Sequence, residues 1–289
     1  MTVGVITDTC ASIPAEFIAD LDLHVVPYYI HRNGTTLRDN VDILPEDFYA
    51  WLPSAKELPT TANPGPGDYL EVFEQAVAKG YDQLISLHLT SKGSGAYQAG
   101  VVAKEMAAAR FPQIPVEVVD TLQVSMVHGW ASIEAARAAR KGADLQDVVR
   151  VARYVSDSGC MIQTADTLKY LYMGGRIGFA KHLVGSLLNV KPVISMNHDG
   201  IITGVGQARS IAQAIDKIIE LMAELGDVSR PIKVGITHNT APDRAEALLE
   251  LIKDAYTVDE VVITQQSPAL GVHTGPGMVG VSFFPVAST

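Results

Sequence analysis

Gln83-Leu84-Ile85-Ser86-Leu87-His88, Thr90-Ser91-Lys92-Gly93-Ser94-Gly95 and Ala96-Tyr97-Gln98 read in turn as a strand, a loop of small donors and the start of a helix. Strand, loop and helix in that order form the unit from which parallel, helix-covered sheets are assembled. The same unit suits an anion. The first backbone N–H groups of a helix have no partner within it, and glycines let a ligand approach them closely.

The flanking runs repeat the unit. Strands are expected at Val3 to Thr7, His24 to Ile30, Gln83 to His88 and Val116 to Asp120, alternating with helices at Pro14 to Asp20, Pro45 to Leu52, Gly67 to Lys79, Ala96 to Arg110 and Val124 to Lys141. Several of these helices have Asp, Ser or Pro near their starts, as helix N-termini prefer. Asn33-Gly34 is a hairpin signal, so a local antiparallel excursion is expected beside the parallel sheet.

The pattern changes after a helix at Asp144 to Val155. Lys191 to Met196 and Ile201 to Val205 flank Asn197-His198-Asp199-Gly200, which predicts a β-hairpin. Helices at Ile211 to Leu225 and Pro242 to Ala255 then alternate with strands at Ile232 to His238, Glu260 to Thr264 and Val279 to Phe284. The expected fold class is α/β with two α/β domains, 1–157 and 158–289. The first carries a mostly parallel covered sheet and the second mixed or antiparallel pairing. A ligand is expected in the crevice between them.

Composition narrows the function. The chain has 289 residues, 47% of them hydrophobic and 19% charged, which is ordinary globular composition with an apolar lean. With 22 basic against 32 acidic residues the net charge is −10, and basic runs are missing, so nucleic-acid binding is not expected. No apolar run reaches the roughly 18 to 20 residues of a spanning helix, and a strand begins almost at Met1, so a cytoplasmic protein is expected. Cys10 and Cys160 stand far apart in no metal or redox spacing, and are read as buried small hydrophobes.

Several constellations carry candidate chemistry. Asp8-Thr9 follows the first strand, where open α/β sheets collect ligands, although such residues also serve simply to close turns. Pro59 to Asp68 is too rich in Pro and Gly for regular structure, and reads as an ordered loop presenting Thr60, Thr61 and Asn63, either as a connector or as part of a site. Asp166 to Ile177 reads as a short helix capped by Asp166 and stopped by a left-handed Gly174; Arg176 beyond it either meets a carboxylate or phosphate or is simply solvated. Gly271 to Gly277 sets His273 among glycines, where it can donate to an anion, act as a base or cap a turn. Gly275 to Gly280 spells a dinucleotide fingerprint, but it neither follows a strand nor opens a helix, so the match is discarded. The phosphate-loop lysine, two-histidine zinc and nucleophile-elbow signatures are all missing, so no metal ligand is assigned.

Taken in order, Asp8-Thr9, Thr61 to Pro64, Ser91 to Gln98, Asp120 to Met126, Thr167 to Ile177, Lys191-Pro192 and His273 to Gly277 make the chain resemble the DegV family essentially end to end. Its most specific pieces are Thr167-Leu-x-Tyr-Leu-x-x-Gly-Gly-Arg-Ile177 and the His-Thr-Gly-Pro-Gly run. The resemblance implies a lipid-binding carrier that encloses one long-chain fatty acid, such as palmitate, stearate or oleate, and presents its carboxylate to a fatty acid kinase for acyl-phosphate formation in phospholipid metabolism. It implies no catalytic residue and no cofactor, headgroup-binding loops in residues 1–157, and an acyl chain enclosed by residues 158–289. By the same resemblance Thr61, the Ser94-Gly95 pair and His273 hold the carboxylate, Arg209 lies near the headgroup network, and Arg176 engages the kinase. Transient membrane contact for acyl exchange is compatible with this role. Ala62, Asn63 and Lys92-Gly93 depart from the family pattern around the headgroup. Two other readings stay open from the residues alone: a Ser/His hydrolase acting on acyl esters through Ser94 and His273, and a binder of a phosphorylated small molecule.

Overall fold

The computed structural model describes residues 2–186 and 190–287. In chain order the elements are β1 (Val3–Asp8), α1 (Ala15–Asp20), β2 (His24–Val26), β3 (Tyr29–Arg32), β4 (Thr35–Arg38), α2 (Pro45–Trp51), β5 (Thr60–Ala62), α3 (Pro66–Ala78), β6 (Gln83–His88), α4 (Ala96–Arg110), β7 (Val116–Asp120), α5 (Met126–Arg140) and α6 (Leu145–Ser158). They continue with β8 (Cys160–Thr164), α7 (Lys169–Met173), β9 (Lys191–Met196), β10 (Ile202–Ala208), α8 (Ile211–Leu225), β11 (Ile232–His238), α9 (Pro242–Ala255), β12 (Val258–Gln265), α10 (Pro268–Thr274) and β13 (Val279–Pro285).

The first sheet has the order β2-β1-β6-β7, and all its pairings are parallel. Its strands are buried on both faces, so their residues divide between two cores. Ile6 and Leu84 point to the side of α3 and α4, where they meet Phe73, Ala76 and Ala103. Val3, Val5, Ile85 and Leu87 point to the side of α5 and α6, where they meet Trp130, Ile133 and Val148. The second sheet runs β10-β9-β8-β13-β11-β12 and is mixed: β11 and β12 pair in parallel and the other neighbours antiparallel. One face of it packs under α8 and α9 through Ile218, Leu221 and Leu248. The other face meets α5, with Phe284 and Val262 in the same core as Trp130.

A single pair of helices, α5 and α6, thus serves both sheets. An Arg137 fork to Glu260 (2.6 and 2.7 Å) and Lys233 to Glu134 (2.9 Å) reinforce this shared layer with half-buried charge-assisted bonds. The helix α10 departs from its place in the sequence: Ala269 and Val272 belong to the core of the first sheet, among Tyr49, Tyr28 and Ile30.

Three local expectations are corrected. The run His24 to Ile30 is not one strand: Pro27 lacks the N–H a central strand needs, and the chain crosses there from the parallel sheet into a small antiparallel sheet of order β4-β3-β5. The expected hairpin is present, with Asn33 and Gly34 at φ 50° and 77° between β3 and β4. The stretch from Pro59 is not wholly irregular, because Thr60–Ala62 pairs with β3 and fixes Thr61 opposite Ile30. Finally, β8 is a strand the sequence pattern does not single out; its five residues are all buried, so no polar alternation marks it.

Trp130, fully buried and 5.8 Å from the Phe284 ring, sits where the shared layer meets the second sheet. Trp130→Ala is expected to cost about 3–5 kcal/mol in urea unfolding. A loss below about 1 kcal/mol would show that this packing does not hold the layer to the sheet.

Candidate functional site

The strand order places β1 between β2, which follows it directly, and β6, which the chain reaches later on the other side. The order in which strands are added to the sheet reverses between the parallel neighbours β1 and β6, and the crevice beyond their carboxyl ends is the favoured ligand position of an open α/β sheet. Residues just past both ends, Cys10 after β1 and Leu89 and Thr90 after β6, do line a cavity of about 430 Å³. Further walls come from Tyr28, β5, the loop before α4, β8, α7 and the turn after it, the β9–β10 hairpin and α10. The cavity therefore lies between the two sheet systems.

Two hydrogen-bonded pairs mark its polar part. Tyr28 Oη and Ser94 Oγ are 2.7 Å apart. Burial pushes the Tyr28 phenol well above its usual range, so it stays protonated and can donate. Ser94 Oγ also accepts from the Ala96 N–H at 3.2 Å. With both of those donors supplied, the Ser94 hydroxyl proton is left to point at a ligand. Thr61 Oγ1 and His273 Nε2 are 2.9 Å apart. Burial first, and the Arg176 charge second, lower the His273 imidazole to about 4, so it is neutral at pH 7. When its proton sits on Nε2 it donates to Thr61, and the Thr61 hydroxyl proton is freed in turn. The cavity thus offers hydroxyl donors to an anion without a full counter-charge in their midst.

The local fold explains each placement. Pro27 turns the chain out of the first sheet, and the Tyr28 N–H donates to Thr9 Oγ1 at 3.1 Å, fixing the tyrosine above the cavity. The loop of residues 90–95 is held by Thr90 N–H to Gln123 O (2.9 Å), Ser91 N–H to Asp120 Oδ1 (3.2 Å) and Thr90 Oγ1 to Gly200 O (2.8 Å). Those internal bonds narrow the expected mode of anion binding. The N–H groups of Ser91, Lys92, Gly93 and Ala96 already have protein acceptors, so the loop's donors for a ligand are the Ser94 hydroxyl and the N–H groups of Ser94 and Gly95 at the start of α4.

His273, set among glycines in the sequence, lies in the last turn of α10, whose cap Ser267 accepts from Leu270 N–H. Gly174 lies against its ring, since a Cβ there would fall 2.3 Å from His273 Nδ1. The residue in left-handed conformation after α7 is Gly175 (φ 71°), not Gly174 (φ −75°). Nor does Asp166 cap that helix. Its carboxylate instead meets Lys191 Nζ (3.0 Å) and Arg244 Nη1 (3.1 Å), which fastens the start of the segment to β9 and α9. Arg176 is exposed at the cavity margin, with Nη1 donating to Gly174 O at 2.8 Å.

The structure brings Thr61, Ser94, His273 and Arg176 to one cavity, and Gly95 stands beside it at the start of α4, where an added Cβ would lie 3.1 Å from Asn63 Oδ1. Arg209 is not brought there. It is exposed in an outer groove between β10 and α8, with its N–H donating to Gln213 Oε1 at 3.2 Å, because the β10 bulge near Gly206 and the Ser210 cap turn the chain away. Asp8 is fully buried below the cavity and accepts from Cys10 N–H at 2.9 Å, as a turn-closing carboxylate does. Tyr28 is the polar residue that the sequence reading misses; its signal was the Pro27 that reorients it. Cys10 and Cys160 are both free and buried. No group of three or more metal-ligating side chains occurs among the described residues, and no helix there is long and apolar enough to cross a membrane.

A family model described as "Uncharacterised protein, DegV family" matches residues 2–286. A DegV domain-containing protein of Caldanaerobacter subterraneus subsp. tengcongensis is 31% identical over 281 residues, 97% of this chain and 98% of its own. A DegV family protein from Thermus thermophilus, described for its fatty acid binding, superposes with a TM-score of 0.90 at 28% identity, covering 99% of this chain and all of that one. DegV of Bacillus subtilis, described as a fatty acid binding protein, gives 0.86 at 27% identity with the same coverage.

Gly174→Ala is expected to displace the His273 ring, admit water and raise its titration midpoint from about 4 towards about 6.5, followed by NMR of the imidazole protons. A group whose midpoint is lowered by folding withdraws stability as pH falls from about 6.5 through the folded value, so the wild type should lose stability in that window and the variant should lose less. Identical midpoints in the two proteins would contradict the packing described.

Proposed function

The chain belongs to the DegV family, and from that premise we propose that it binds one long-chain fatty acid and presents its carboxylate to an ATP-using kinase subunit. The observation that carries this reading is the pairing of two hydroxyl donors, Ser94 and Thr61, with neutral partners, Tyr28 and His273, in one cavity between the sheet systems.

The energetics fit a lipid better than a small anion. Burying an acyl chain gains about 0.8 kcal/mol per methylene, so some 14 methylenes supply on the order of 11 kcal/mol gross before ordering costs. The tail accounts for affinity. A carboxylate taken out of water recovers roughly 1.5 to 3 kcal/mol from each hydrogen bond to the charged acceptor. In this division residues 1–157 form one domain that supplies the headgroup loops, and residues 158–289 form a second that encloses the chain, with α10 reaching back to add His273. The hydrolase reading loses support, because Ser94 is bonded to Tyr28 and His273 to Thr61, and His273 Nδ1 has no orienting carboxylate among the described residues.

The presented carboxylate would attack the γ-phosphorus of ATP on the partner, forming acyl phosphate with ADP leaving. The carrier's part is to hold and aim the nucleophile. Arg176 would serve the partner rather than the lipid, a reading supported by its exposure beside the cavity and by the nearby Tyr172 and Met173, which are 56% and 58% exposed. An apolar, cationic rim of this kind suits a kinase surface and, during acyl exchange, transient contact with a membrane. The setting proposed is the cytoplasm.

Displacement of a fluorescent fatty acid should show palmitate competing and sugar phosphates failing to compete; the opposite order would favour the phosphate-binder reading. Ser94→Ala should weaken palmitate binding about tenfold, the loss of one hydrogen bond to a charge. Arg176→Ala should leave binding unchanged yet cut phosphorylation by a matched kinase. Full phosphorylation of the Arg176→Ala protein would refute the partner role.

A further inference from the structure

The donors assigned to the carboxylate come from β5 and from the loop before α4, and α10 takes part only through the His273 bond to Thr61. A second group from the α10 side reaches the same cavity. Gln266 stands just before the Ser267 cap of α10 and lines the wall together with Ala269, Leu270, His273 and Thr274. Its backbone is pinned, with the N–H donating to His238 O at 3.1 Å and the carbonyl accepting from Tyr49 Oη at 3.0 Å. Its side chain runs along the helix, where Oε1 accepts from Thr274 Oγ1 at 2.7 Å. Thr274 adjoins His273, so the carboxamide lies against the turn that carries the imidazole.

The amide is oriented as well as placed. Asn239 Nδ2, itself held by Gly275 O at 2.6 Å, stands 3.5 Å from the same Gln266 oxygen. A reversed amide would set one NH2 group against the other, so the oxygen faces Asn239 and Thr274 and the nitrogen faces away from them. Gln266 Nε2 has no acceptor among the described residues. Nor is it sealed, as the unpartnered Asn239 Oδ1 and Gln265 Oε1 are; it keeps accessible surface within a residue only 2% exposed. The cavity is where that surface opens.

We infer that Gln266 is a further ligand-binding residue of this cavity, its Nε2 donating to the carboxylate that Ser94 and Thr61 hold. An ionised carboxylate only accepts, at about four lone-pair sites, so a free amide N–H is complementary to it where another acceptor would not be. The amide is neutral, as the imidazole and the hydroxyls are, and therefore adds a charge-assisted bond without adding a counter-charge. Such a bond is about twice as strong as one to a neutral acceptor, so Gln266 favours an acid over the alcohol of the same chain. The bonds on Oε1 supply rigidity, because a tethered side chain loses little rotamer freedom when the ligand arrives. The inference rests on the fatty-acid reading above and adds a residue to its headgroup site.

The test is a displacement assay with palmitate, hexadecanol and hexadecylamine on the full-length wild type, Gln266→Met and Gln266→Glu, at about pH 8, where amine and carboxylates are all charged. Loss of the amide donor in Gln266→Met should weaken palmitate about tenfold and hexadecanol no more than about threefold, whereas a merely structural glutamine would weaken both alike. Glutamate keeps an oxygen for Thr274 and Asn239 and puts a negative charge in place of Nε2. Gln266→Glu should therefore weaken palmitate by more than about tenfold and bind hexadecylamine more tightly than the wild type does. Palmitate binding unchanged in Gln266→Met, equal losses for palmitate and hexadecanol, or no gain for the amine in Gln266→Glu overturns the inference. If palmitate fails to displace the probe from the wild type, the fatty-acid reading itself fails, an outcome distinct from variants that behave like the wild type.

Discussion

The hydrogen bond between Thr61 Oγ1 and His273 Nε2 joins residues 212 positions apart, and most of the architecture is needed to make it. Thr61 must be presented by a short strand, His273 by a helix from the far end of the chain, and both must lie over the switch point of the parallel sheet. The helix α10 meets this demand by packing Ala269 and Val272 into the core of the first sheet rather than under its own. Shared packing on α5 and α6 then holds the two sheets at the spacing that leaves a cavity between them. A neutral imidazole there is a consequence of burial, and it turns what could be a base into a positioning partner for a hydroxyl.

An electrically quiet donor set has a functional meaning. Under the proposed function, a buried lysine or arginine on the carboxylate would lower its nucleophilicity along with its energy, whereas hydroxyls bonded to phenol and imidazole would hold it by direction and number. The guanidinium at the cavity margin, Arg176, is exposed and donates to the Gly174 carbonyl. Its charge is thereby exposed at the rim, where the proposed partner would meet it.

Much of this was legible in the residues, for reasons that differ from place to place. The unit Gln83 to Gln98 and the Asn33-Gly34 turn are local: strand periodicity, helix initiation and positive φ are each decided within a few positions. Thr61, Ser94, His273 and Arg176 came from family motifs, and geometry now gives them a common cavity. What failed to show was set by tertiary context. The five buried residues of β8 carry no alternation, Pro27 redirects Tyr28 through a strand switch, and the left-handed glycine after α7 is the second of an adjacent pair. Arg209 lies in a different groove because a bulge and a helix cap intervene, neither of which its spacing announces.

Native mass spectrometry of the intact protein incubated with palmitate tests the central claim most directly. One fatty acid retained per chain, and a weaker complex when Thr61 and Ser94 are both replaced by alanine, is the result this account predicts. A protein that stays ligand-free at saturating palmitate, or one that retains it equally well without either hydroxyl, would contradict it.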